Sequence, residues 1–102
     1  MELVSPVEIN LDKTRKLRFD MNAMASFERI SGKNIRKLDY DNLDVADIRA
    51  LVWACLLDDD PAITPEIVGH AITPANFDDV TTKLLEAINA SIPPRKANLP
   101  QT

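Results

Sequence analysis

The sequence predicts an α+β fold: an N-terminal β-hairpin followed by about four α-helices, helical for most of its length. Three observations predict it. Period-two alternation is confined to the first stretch of the chain, apolar residues recur at helical spacing after Asp20, and helix start and stop signals punctuate the rest. Only two glycines occur, which disfavours an all-β fold with its many tight turns. With 102 residues the chain has room for one domain, expected over residues 1–92, with a polar tail over 93–102.

Val7, Ile9 and Leu11 alternate with Glu8 and Asn10; Leu17 and Phe19 alternate with Lys16 and Arg18. With Asp12-Lys13-Thr14 between them, these runs read as a hairpin of Val7–Leu11 and Arg15–Phe19 with one buried face. A hairpin alone is marginal and must pack on something. Asp20 caps a helix over Met21–Ser31, in which Met21, Met24, Phe27 and Ile30 recur at three-residue steps and Gly32 supplies the stop. Lys33–Leu43 is polar and broken, a connection with room for a short helical turn.

Asp44 caps the next helix, Val45–Leu57. Ile48, Leu51, Val52, Cys55 and Leu56 fall on one face, and Ala46, Ala50, Trp53 and Leu57 form a second stripe beside it. So wide an apolar arc marks the central helix. Asp58–Asp60 at the negative end of the helix dipole, then Pro61, end it. Thr64-Pro65-Glu66 starts a short helix, Pro65–Ala71. Thr73-Pro74 repeats the start signal and Asn76 offers a second one. The last helix runs to about Ser91 on Phe77, Val80, Leu84, Leu85, Ile88 and Ile92, and Pro93-Pro94 stops it. The tail RKANLPQT is unpatterned and expected to be disordered.

Composition excludes several classes. The formal net charge is −4, where a generic nucleic-acid or anionic-membrane binder carries a basic face. The exception, Lys13, Arg15, Lys16 and Arg18, reads as the exposed polar face of a strand or as charges guarding a sheet edge. One cysteine, Cys55, excludes an intramolecular disulfide and a thiolate zinc cage and suits a reducing interior. No apolar run approaches the ~20 residues of a membrane span, and the acidic start broken by Pro6 is no signal peptide.

No reactive constellation emerges. His70 is the lone histidine, flanked by no motif, and Cys55 sits on the most apolar helical face, where a thiol behaves as a small hydrophobe. A calcium loop beginning at Asp39 would need glycine and glutamate where Asp44 and Ala50 stand. No cofactor is expected, and the chain is expected to be no enzyme. What remains is surface. Met21, Met24 and Phe27 on the first helix, with Trp53 and Leu57 on the central one, are the candidate partner-binding residues. For Trp53 and its stripe core is the default reading, although a tryptophan flanked by small residues is also the kind of anchor that interfaces use.

The order of motifs resembles a family. KLRFD (Lys16–Asp20) feeds MNAMASFERISGKNI (Met21–Ile35). DIRALVWACLLDDDP (Asp47–Pro61) follows, then ITPEIVGHAI (Ile63–Ile72) and a last amphipathic helix. This is similar to the small tail assembly chaperones of long-tailed bacteriophages, prophages and gene transfer agents. The likeness is carried by Asn22, Ala23 and Glu28, by Arg49, Leu51, Trp53 and Ala54, by Asp60 and Pro61, and by Thr64, Glu66, Val68 and Gly69.

The resemblance implies a holdase in the host bacterial cytoplasm, absent from the mature virion. It would coat the tape measure protein, a long helical apolar polypeptide, before the tail tube polymerises around it. It also implies a longer form made by ribosomal frameshifting, whose extension recruits the tail tube protein, and a polar tail after Pro93-Pro94 is compatible with a product ending near such a point. Methionines suit an adaptable groove, self-association is expected on the same surfaces, and many copies on one tape measure would add avidity. Two further readings compete: a structural tail component, such as a connector or tube-end protein retained in the virion, and a small regulator that binds nucleic acid through the basic strand.

Overall fold

A computed structural model describes residues 3–91. Two antiparallel strands, β1 (Val7–Asn10) and β2 (Thr14–Leu17), precede α1 (Met21–Ser31), a single 3-10 turn (Ile35–Lys37), α2 (Val45–Leu56), α3 (Pro65–Ala71) and α4 (Phe77–Ala90). This is the expected α+β order of a hairpin followed by helices. The expected tail from Pro93 onward, together with Ile92, lies outside the described residues.

The hairpin pairs Val7 with Leu17 and Ile9 with Arg15, so these four share its inner face. The strands are shorter than the alternation suggests. At Arg18 the backbone N–H donates to the Cys55 carbonyl of α2 (2.9 Å) rather than continuing the ladder. Phe19 keeps its inward phase without being in the strand and is buried.

Helix boundaries follow from their caps. Asp20 accepts from the Ala23 N–H, Asp44 from that of Asp47 and Thr64 from that of Ile67, each answering one of the donors that a helix start leaves unpaired. Gly32 ends α1 at φ 73°, a left-handed conformation that its missing Cβ permits, and its N–H closes on the Glu28 carbonyl. Of the two start signals before the last helix, Asn76 precedes its first residue. Its side chain turns backward, accepting from the Thr73 N–H (2.7 Å) and donating to the Ala71 carbonyl (2.9 Å), so Thr73-Pro74 belongs to a turn that these two bonds close.

The central helix is α2, which packs on α1, α3, α4 and β2, while α4 also lies on β1. Leu51, Val52, Cys55 and Leu56 are sealed from solvent along with Leu17, Phe27, Val68, Val80 and Leu84. Removing a sealed side chain of this size, as in Leu51→Ala, typically costs about 2–5 kcal/mol.

One sequence expectation is corrected here. Arg15 does not belong to an exposed basic face: it is 5% exposed. Its guanidinium makes paired hydrogen bonds to Asp12 (Nε to Oδ1 2.8 Å, Nη2 to Oδ2 2.9 Å) and a third to Asp60 Oδ2 at 3.1 Å. The physical reason is parity. Arg15 has the same phase as Leu17, and the carboxylates that make burial tolerable come from the hairpin turn and from the acidic stop after α2. Arg18 is also engaged. Its Nη1 donates to the Val4 carbonyl at 2.7 Å, and its Nε lies 3.2 Å from Asp58 Oδ2, too poorly aimed for a hydrogen bond. The acidic run that ends α2 is thus held by arginines of the hairpin, leaving Lys13 and Lys16 as the exposed bases of the strand region.

Candidate partner-docking surface

The reactive side chains stand apart from any shared cavity. Cys55 is fully buried in α2, and burial first, with Asp20 adding to it, pushes its thiol well above the ordinary range, so it stays protonated. His70 is exposed in the last turn of α3. Among the described residues no group of three or more His, Cys, Asp or Glu side chains is placed to hold a metal ion, and no helix is long and apolar enough to cross a membrane. Asp44 and Asp47 have structural work: Lys33 Nζ lies 2.9 Å from Asp47 Oδ1 and 3.6 Å from Asp44 Oδ2. The hydrogen bond from Lys33, above all, raises that amine's pKa, while the N–H of Asp47 chiefly lowers the Asp44 carboxyl.

The five residues expected to contact a partner do not line one surface. Met21 is 74% exposed at the start of α1. Met24 is half-buried and lines a cleft between α1 and α4. Phe27 has no exposure at all, so no partner reaches it in this fold. Trp53 is half-buried and donates its indole N–H to the Ile63 carbonyl (3.0 Å), pinning the connection between α2 and α3. Leu57 borders a shallow depression with Ala23 and Ser26 on the other side of α1 from the Met24 cleft's lining.

Phe27 is misread from sequence for a geometrical reason. Steps of three residues fall about 60° short of a full turn, so Met21, Met24, Phe27 and Ile30 spiral around α1. The stripe that packs is Ala23, Ser26 and Phe27, at i, i+3 and i+4.

A cleft of about 640 Å³ opens where the end of α4 faces α1 and the 3-10 turn. Phe19, Met24, Ile35, Tyr40, Leu85 and Ile88 form its apolar walls, and Arg36, Asp41 and Asn89 its polar margin. The connection Lys33–Leu43 is held as a wall by specific bonds. Glu28 Oε2 accepts from the Ile35 N–H (2.8 Å), Asn34 caps the 3-10 turn, and the Tyr40 hydroxyl donates to the Ile35 carbonyl (2.9 Å). Partial burial raises the Tyr40 pKa, so the phenol remains a neutral donor. Apart from Met24, the lining escaped sequence reasoning. Leu85 and Ile88 read as core face, and Ile35 and Tyr40 stood in a segment with no periodicity.

Such a cleft offers apolar contact area with few polar constraints, the kind of surface on which one stripe of a helix docks. Comparison of the chain with protein-family models, with curated proteins and with solved structures returned no match.

Proposed function

We propose that this protein is a non-enzymatic tail assembly chaperone of the long-tailed phage type, which binds the tape measure protein and keeps it soluble while the tail tube assembles. The reading rests on the order of motifs from KLRFD to ITPEIVGHAI. The observation that carries it further is the cleft walled by Phe19, Met24, Leu85 and Ile88. A tape measure is long, helical and apolar. Such a partner needs a groove that accepts many related stripes rather than one sequence, and an unbranched methionine in the wall adapts to varied side chains. Weak contacts repeated by many copies along one partner would sum to firm retention.

Co-expression with a tape measure protein tests this. The chain should keep that protein in the soluble fraction, Met24→Asp should abolish the effect with the fold retained, and purified particles should lack the chain. A tape measure that precipitates equally with and without the chain overturns the reading. Stoichiometric retention in particles would instead favour a structural tail component.

A further inference from the structure

We infer that a second docking surface lies where the first turns of α2 meet α3 and α4, and that it takes an amphipathic helix of a protein partner carrying a carboxylate within its apolar stripe. It shares no lining residue with the Met24 cleft, so it stands or falls independently of the proposed function.

Two depressions adjoin here. One, about 480 Å³, has Val45, Ile48, Ile72 and Phe77 in its wall; the other, about 250 Å³, has Ile30, Ala46 and Pro65 together with the Lys33–Asp47 pair. Val45 is 72% exposed and Ile30 45%, so each depression offers apolar surface to solvent. Arg49 lines both depressions and stands between them. Its side chain lies against the backbone of α3, since a Cβ on Gly69 would sit 3.2 Å from Arg49 Cδ.

Among the described residues the Arg49 guanidinium has no carboxylate within 4.0 Å, unlike Arg15 and Arg18. The nearby acids are otherwise placed. Asp47 is held by Lys33, and Asp78 lies at the margin of the larger depression without reaching Arg49. An exposed cation bordered by apolar side chains, with no carboxylate in ion-pair range, complements a helix that presents a carboxylate between large apolar residues. The side chains of segment 93–102 include no acid.

The test uses the full chain and a synthetic 18-residue helical peptide with leucines at i, i+4 and i+7 and one glutamate within that stripe. Its counterpart has glutamine in place of the glutamate. Binding is read by fluorescence anisotropy and by amide chemical shifts. The glutamate peptide should bind about tenfold more tightly than the glutamine one, the worth of one charge-assisted hydrogen bond. The shifts should centre on Val45, Ile72 and Phe77. Arg49→Gln should erase the difference while leaving the circular dichroism spectrum unchanged, and Gly69→Ala should narrow it by pushing Arg49 aside. Equal affinity for the two peptides overturns the inference, as do shifts centred on Met24 and Leu85. A self-association that Arg49→Gln abolishes, with no peptide binding, also overturns it by assigning the face to a second copy.

Discussion

Arg15 and Arg49 occupy opposite situations in one small fold. Around Arg15 the chain answers its own charge: Asp12 and Asp60 converge on a guanidinium that is almost wholly buried, tying the hairpin turn to the end of α2. Around Arg49 nothing within the described residues answers. The side chain lies over Gly69 between two apolar depressions. The difference separates charges that build the fold from charges left over once it is built. A buried cation without partners would be prohibitively destabilising, so its partners must be internal. An exposed one is tolerated unpaired, and its surroundings then describe what it suits.

The largest effect should come from breaking the first situation. Arg15→Ala removes both ion pairs and the stem that packs under the hairpin. Loss of one partner from a buried pair typically costs about 3–5 kcal/mol. Here Asp12 and Asp60 keep partial exposure and would regain water, so the low end, about 3 kcal/mol, is expected in urea unfolding. A change below about 0.5 kcal/mol, the range of ordinary surface substitutions, would show that the triad is ornamental.

Acid sharpens the same point with a smaller effect. The Asp12 carboxyl is lowered from 3.8 to about 2, chiefly by its hydrogen bond from Arg15. A group whose pKa is depressed by folding binds protons more readily when unfolded. Its contribution is therefore complete above about pH 4 and disappears as the pH falls toward 2. Because Asp12 is largely exposed, solvent screening holds the effect below about 1 kcal/mol. Stability curves of the wild type and Asp12→Asn should diverge above pH 4 and converge near pH 2. A constant gap across that range would contradict the assignment.

The two arginines also mark how far the sequence could be read. Caps were legible because they are local: Asp20, Asp44, Thr64 and Gly32 act within four residues, and each helix start they announced is where the chain begins to coil. The hairpin was legible from parity, although its strands end early because Arg18 turns to Cys55 in α2. Arg15 shares the phase of Leu17, so its inward position was implicit. Its burial was not, because Asp60 lies 45 residues away and no local pattern shows that the two meet. The Met24 cleft was legible in one residue only. Its other walls come from the strand exit, the irregular connection and α4, which tertiary packing alone brings together.

The smallest effects belong to the Arg49 face, and there the absence of a stability change is the informative result. Gly69→Ala replaces a glycine inside a helix, which by itself favours folding by about 0.5–1 kcal/mol. The new methyl would meet Arg49 Cδ at 3.2 Å, and a long side chain with an exposed end can move away. The net change should be neutral or slightly stabilising in thermal unfolding. Arg49→Gln should fall within about 0.5 kcal/mol of the wild type, because no ion pair is lost and the remaining stem still covers Gly69. A loss of about 3 kcal/mol or more, the range for breaking a buried charge pair, would mean that Arg49 is part of the framework after all. The contrast with Arg15 would then collapse, and with it the reason for regarding this face as one prepared for a partner.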